Sequence, residues 1–86
     1  MPEISRFFGI VVVIYYNDHN PPHFHVRYGS SRGRFAIDDL RMLDGDLSPR
    51  VRGLVIEWAS RYLDELRRNW EHAQAHEPLV RIPGLE

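Results

Sequence analysis

The chain has 86 residues, of which 43% are hydrophobic and 27% charged; this composition excludes disordered and fibrous classes and predicts one folded domain over residues 1–86. Its formal net charge of -1 argues against a general polyanion binder, because non-specific affinity for nucleic acid scales with the number of phosphates neutralised. The sequence has no cysteine, which excludes disulfides, thiolate zinc sites and a cysteine nucleophile.

The longest apolar run covers residues 7–16 and is far shorter than the roughly 20 residues that cross a bilayer. Glu3 stands where a signal peptide would have its basic region, and no small-residue cleavage site follows. We therefore expect a cytoplasmic protein that does not associate with membranes. Within the run, residues 10–16 are β-branched and aromatic without polar alternation, which predicts a buried, central strand.

A rigid turn over residues 17–22 follows, and the eight residues 18–25 (DHNPPHFH) hold three of the chain's five histidines. Each proline fixes its own φ and restricts the residue before it. Residues 23–28 then alternate as a strand does, with a period of two. This pattern predicts that one set points toward the core and the other shares the opposite face: Phe24, Val26 and Tyr28 against His23, His25 and Arg27.

A Gly/Ser turn predicts a hairpin to a return strand at residues 34–38, and a fourth short strand could run over residues 40–43. Ser48 and Pro49 are a helix-start signal. Apolar residues at three- and four-residue steps then predict a long amphipathic helix to about Ala75, roughly 40 Å in length. The expected fold is α+β, with a small antiparallel β-sheet of three to four strands packed against one long C-terminal α-helix and an apolar tail that docks.

Six blocks of sequence are distinctive: residues 2–10, the end of the strand with residues 16–19 (YNDH), 21–26 (PPHFHV), 57–58, 69–71 and 78–85. Together they resemble the bacterial family known as domain of unknown function 4160, over almost the whole chain. The resemblance implies a small protein without a settled biochemical role, often encoded beside another small protein in an arrangement like a toxin–antitoxin pair. Some members are labelled transcriptional regulators.

Our first functional hypothesis is the toxin-like half of such a module, acting on RNA or another phosphate-bearing target. A metal-independent endoribonuclease needs a general base, a general acid and a cation for the developing phosphorane charge. The candidate catalytic residues are His19, His23, His25, Arg27 and Arg34. Arg32 in the hairpin, with Arg27 and Arg34, could also hold phosphate, although arginines at a hairpin tip equally serve solubility.

The same histidines could instead bind a divalent metal such as zinc. Histidine is the commonest metal ligand, so His19, His23 and His25 are the candidate ligands, and Asp18 could add an oxygen. His72 and His76 lie four residues apart on the predicted helix and are interpreted as part of a solvated face. No other cofactor is expected.

The alternative function is a non-enzymatic module that binds the protein encoded in the same operon or regulates that operon, and such a module could also hold a metal ion at the histidines. It would use the long helix, with Trp70 as an anchor, and the tail. A chain of this size buries only about 60 to 65% of the surface that its unfolded form exposes, so its core is modest. A homo-oligomer that completes the core is therefore a further hypothesis.

Overall fold

The computed structural model describes residues 2–85. Their backbone forms one antiparallel sheet of five strands, each hydrogen-bonded to its neighbours in the sequence, followed by two helices. The elements are strands Glu3–Phe7 (β1), Ile10–Val13 (β2), His23–Tyr28 (β3), Ser31–Ala36 (β4) and Met42–Gly45 (β5), and helices Pro49–Arg61 (α1) and Leu63–Gln74 (α2).

The number of strands differs from the prediction of three to four, because β1 was missed. This strand joins β2 through a turn at Phe8 and Gly9, whose φ angles are 50° and 79°. Two successive residues with positive φ match the twist of a tight hairpin. Asparagine or glycine usually fills such a position. Because Phe8 is apolar and belongs to an apolar run, the sequence offers little indication of a turn there. β2 is an interior strand, as predicted, with β1 and β3 on either side.

The prediction of one long C-terminal helix is wrong, because the helix breaks at Tyr62 (φ -123°, ψ 32°). The Tyr62 N–H donates to the Ala59 carbonyl oxygen at 3.1 Å, a tight three-residue closure, and the Tyr62 carbonyl oxygen then accepts from the Leu66 N–H. Two residues before the break, the Ser60 hydroxyl donates to the Glu57 carbonyl oxygen, a contact that bends helices. Because of this break, both helices can pack on the sheet of a domain that is only 33 Å in its longest dimension.

The core lies between the helices and one face of the sheet. Phe24 and Val26 point into it, as predicted, whereas Tyr28 at the end of β3 is 38% exposed. The Trp58 ring packs on Phe7 and Phe24, with centroids 5.4 and 6.0 Å away. Neither helix is long and apolar enough to cross a bilayer, as judged over residues 2–85.

The C-terminal tail docks on the domain, as predicted. The Asn69 side chain, which is buried, donates to the Val80 carbonyl oxygen and accepts from the Val80 N–H, both at 2.8 Å. The Ile82 N–H donates to the Ile4 carbonyl oxygen of β1, and the Trp58 indole N–H donates to the Pro83 carbonyl oxygen. The tail therefore joins both helices to the first strand.

Candidate metal centre

The loop between β2 and β3 carries the acidic member of the site. Its backbone has a positive φ at Asn17 and a cis peptide bond between Asn20 and Pro21. The Asp18 carbonyl oxygen accepts from the Gln74 side-chain amide of α2, and Asp18 Oδ1 accepts from the His19 N–H. These contacts leave Asp18 Oδ2 directed at the first residues of β3.

Two imidazole rings meet that one carboxylate oxygen. His23 Nε2 lies 2.9 Å from Asp18 Oδ2, and His25 Nε2 lies 3.0 Å from the same atom. The two histidines are two residues apart on β3 and therefore leave the strand on the same face. The three donor atoms all lie within 4.8 Å of one another.

The His23 ring is fixed and buried, with only 1% of its surface exposed. Its Nδ1 lies 2.7 Å from the Pro21 carbonyl oxygen; because a carbonyl oxygen can only accept, Nδ1 carries the hydrogen. In the neutral ring Nε2 is then a bare lone pair. This buried atom makes no hydrogen bond among residues 2–85 and faces the carboxylate oxygen of Asp18. Two electron-rich atoms at this distance are held together by a cation, which is either a proton on Nε2 or a metal ion beside both atoms.

His25 forms the accessible side of the site, with 26% of its side chain exposed. Its ring packs edge-on against Tyr15 and against His23, with centroids 4.7 and 5.0 Å away. Burial disfavours ionisation of the Asp18 carboxyl, but hydrogen bonds from His25 and the His19 N–H, and the positive charge that either imidazole ring carries when it is protonated, hold its pKa below the ordinary value. Asp18 is therefore a carboxylate at neutral pH.

This donor set fits a transition metal. With metal–ligand bonds of about 2.0 to 2.1 Å, neighbouring donors lie about 2.8 to 3.0 Å apart in an octahedral centre and about 3.3 to 3.4 Å apart in a tetrahedral one. The two separations from Asp18 Oδ2, 2.9 and 3.0 Å, match the octahedral spacing. A metal-bound histidine usually donates its other ring N–H to a carbonyl or carboxylate, as His23 does to Pro21. Two histidines and one carboxylate are a known set for catalytic zinc and for non-haem iron.

A hollow of about 210 Å³ adjoins the site on the same face of the sheet, and His25 lines it. Arg34 donates to Asp44 Oδ2 on β5 through Nη2 at 2.6 Å and Nε at 3.0 Å. This pair raises the pKa of Arg34 and lowers the pKa of Asp44. The hollow is lined further by Tyr15, Val26, Arg27, Arg32, Gly33 and Gly45.

The structure groups some of the predicted site residues and separates others. His23 and His25 come together with Asp18, while Arg27 and Arg34 line the adjoining hollow. His19 is exposed and does not belong to the group of three donors. Away from this site, His72 Nδ1 lies 2.8 Å from Glu77 Oε1 on the surface.

Asp44 is the residue of the site that sequence reasoning missed. The fourth strand was predicted to end at residue 43, just before Asp44, but Asp44 belongs to β5 and lies opposite Arg34 in the register. The bulge between Arg34 and Phe35 sets this register, and no local pattern in the sequence shows it. An arginine in one strand and an aspartate in the next were the only available signal.

Comparison with known proteins gives one match. The family model described as Domain of unknown function (DUF4160) matches residues 9–71, a range that includes Asp18, His23, His25 and the arginines of the hollow. No curated protein and no solved structure matches the chain. Because the family model covers well over half of the sequence, the chain belongs to this family of unknown function.

Proposed function

We propose that the protein binds a divalent transition metal, such as zinc, through Asp18 Oδ2, His23 Nε2 and His25 Nε2. The observation that carries the proposal is the orientation of His23: its Nδ1–H is committed to the Pro21 carbonyl oxygen, so its buried Nε2 lone pair points at a carboxylate oxygen. A metal ion satisfies both atoms at once. Imidazole nitrogen with carboxylate oxygen suits zinc and its neighbours better than calcium or magnesium.

The proposed centre has the composition of a reactive site more than of a structural one. Three protein ligands leave at least one position for water or substrate, whereas structural zinc sites are closed by four. A metal held in this way polarises a bound oxygen or lowers the pKa of bound water. The partly exposed His25 and the hollow beside it provide the open side from which a ligand could approach.

Metal titration of the purified protein after treatment with a chelator tests the proposal. We expect one equivalent of Zn²⁺ to bind, with competition by Ni²⁺ and Co²⁺ and none by Mg²⁺. His25→Ala and Asp18→Asn each remove one ligand from a partly exposed position and should lower the affinity at least about tenfold. His19→Ala, in the same turn but outside the group, should bind as the wild type does.

Two outcomes would contradict the metal proposal. One is a wild-type protein that binds no transition metal at micromolar concentration while remaining folded by circular dichroism. The other is equal loss of binding in His19→Ala and His25→Ala, which would mean a loose histidine-rich loop in place of the defined centre. His72→Ala serves as the control for adventitious binding at the surface pair with Glu77.

Metal-independent cleavage of RNA by a toxin-like bacterial protein in the cytoplasm is the second candidate function. The hydrogen bond between Asp18 and His25 favours it, because a carboxylate that orients an imidazole is the usual arrangement for a general base. Arg27 and Arg34 would stabilise the developing charge. It ranks second, since the burial of His23 keeps that ring from acting as the general acid on a large substrate.

Inducing the chain without its neighbouring gene distinguishes the two candidates. A toxin of the second kind would inhibit growth and deplete RNA, and purified protein would cleave RNA in the presence of a chelator. The same protein with His25→Ala would be harmless. Cleavage that requires added metal, or no cleavage, would leave the metal proposal in place and remove the second one.

Binding to the protein encoded in the same operon remains a prediction. The surfaces that this hypothesis assigned to the partner are engaged within the chain itself: Trp70 is only 7% exposed, and the tail is held by Asn69. A partner would therefore have to use other surfaces. Co-expression and co-purification of the two proteins would test the pairing.

A further inference from the structure

Three arginines point into the hollow beside the candidate metal centre, and two of them have no acidic partner among residues 2–85. Arg27 on β3 lies directly opposite Arg32 on β4 in the register. Like charges at directly opposite positions of a sheet destabilise it, because their Cβ atoms are only about 5 Å apart. Within residues 2–85 neither arginine forms an ion pair, although the chain has twelve acidic residues. A like-charge pair of this kind is suited to an anion.

Arg34, the third arginine, is held at the hollow by its ion pair with Asp44. Arg34 lies opposite His25 in the register, and its guanidinium is fixed by two hydrogen bonds to Asp44. With Arg27 and Arg32 carrying positive charge and Asp44 balancing Arg34, the hollow has two uncompensated positive charges. His25 belongs to both the hollow and the metal centre, so an anion in the hollow would lie next to the metal.

We infer that this hollow binds the phosphate group of a small molecule, such as a mononucleotide, next to the metal of the proposed centre. The inference rests on the proposed function for its metal ligand, but the arginines alone give it a separate basis. Planar guanidinium groups bind phosphate oxygens in a bidentate way, and a metal at His25 could take a further oxygen of the same group. The hollow's volume of about 210 Å³ holds a phosphate and part of the molecule that carries it.

A small phosphate ester fits better than a nucleic-acid strand. Affinity for a strand grows with the number of phosphates that the protein neutralises along it, and this hollow provides two free charges at one point. The chain as a whole carries a net charge of -1, so it offers no general attraction for a polyanion.

Calorimetric titration with inorganic phosphate and with adenosine monophosphate tests the inference, using protein with and without bound Zn²⁺. We expect both ligands to bind the metal-free protein and to bind more tightly when the metal is present. Arg27→Gln/Arg32→Gln should weaken phosphate binding about tenfold or more and leave Zn²⁺ affinity within about twofold. Arg52→Gln, an exposed arginine on α1, is the matched control and should change neither.

The possible failures can be told apart. Phosphate binding that depends on Arg27 and Arg32 in a protein that takes up no metal would support this inference and overturn the proposed function. Metal binding with no phosphate binding, or with phosphate binding that the double variant leaves unchanged, would overturn this inference alone. An oligonucleotide of about ten nucleotides that binds at least about tenfold more tightly than the mononucleotide would overturn the assignment to small phosphate esters.

Discussion

The indole ring of Trp70 packs against the imidazole ring of His23, with ring centroids 5.3 Å apart. Trp70 lies on α2 and His23 at the start of β3, so this contact fixes the buried ligand of the proposed metal centre from the helical side. The Gln74 side chain, one turn further along α2, holds the carbonyl oxygen of Asp18. The second helix therefore supports two of the three donors.

Removing the indole ring should affect both folding and the site. We expect Trp70→Ala to lower the free energy of unfolding by about 3 to 4 kcal/mol, the usual cost of deleting a buried tryptophan. Metal affinity should fall about tenfold or more, because supporting contacts orient metal ligands. Urea denaturation and metal titration measure the two effects, with His72→Ala on the same helix as the control. Unchanged metal affinity in a folded Trp70→Ala variant would contradict this supporting role.

Metal binding should stabilise the fold. A ligand present at about one hundred times its Kd adds about 2.7 kcal/mol to the free energy of unfolding, which for a domain of this size raises Tm by roughly 10 to 20 °C. We expect this increase with Zn²⁺ and its reversal by a chelator, measured by differential scanning fluorimetry. The rise should be lost in Asp18→Asn and kept in His19→Ala. A comparable rise in both variants would argue against the three-donor site.

Gly45 at the end of β5 is a position where only glycine fits. Its φ is 122°, and a Cβ atom there would overlap the Arg32 carbonyl oxygen and Gly33 Cα on β4. We expect Gly45→Ala to cost about 2 kcal/mol or more in chemical denaturation and to weaken phosphate binding, because β5 would move away from the hollow.

A second glycine provides the control with the opposite sign. Gly53 is exposed on α1, and a Cβ atom there would meet nothing within 4 Å. Gly53→Ala should therefore raise the free energy of unfolding by about 0.5 to 1 kcal/mol, since glycine weakens a helix interior. If both substitutions had the same sign, steric overlap at Gly45 would not be the cause.

Glu3 should make stability depend on acid pH. Hydrogen bonds from Arg6 and then Arg81 lower the pKa of Glu3 from 4.5 to about 2. A carboxyl whose pKa is lowered by folding contributes stability above the unfolded value, and this contribution is lost as the pH falls from about 4.5 toward 2. Because both arginines are largely exposed, solvent screening reduces the contribution to about 1 kcal/mol or less.

The measurement compares Glu3→Gln with the wild type by urea denaturation at several pH values. Near neutral pH the variant should be the less stable, and the difference should shrink as the pH approaches 2. Glu71→Gln is the control, since Glu71 is exposed on α2 and forms no ion pair among residues 2–85. A difference between Glu3→Gln and the wild type that is constant with pH would assign the effect to packing.

Local rules predicted those parts of the structure that local contacts determine. The start of α1 was found because Ser48 accepts a hydrogen bond from the Val51 N–H, a contact within one turn. The face shared by His23 and His25 followed from strand alternation. The break at Tyr62 was not predictable from periodicity, because buried residues continue on both sides of it, among them Val55, Trp58, Leu66 and Trp70.

Contacts that depend on tertiary structure could not be predicted from the sequence. Trp70 was interpreted as an anchor for a partner, on the assumption that a straight helix extends past the sheet; the break at Tyr62 instead turns α2 back toward His23. The convergence of two imidazole nitrogens on one oxygen of Asp18 depends on how the loop folds. The histidine cluster in the sequence identified the residues of this site, but the 2.9 and 3.0 Å separations follow only from the folded loop.

The docked tail also covers part of the sheet edge that β1 forms. Unpaired strand edges can recruit strands from other molecules and so promote aggregation. Along β1 the outward carbonyl oxygen of Ile4 is occupied by the Ile82 N–H, and Arg81 pairs with Glu3 beside it. The last residues thus shield one margin of the sheet from unwanted strand addition, and shortening the chain before Val80 should favour self-association through β1.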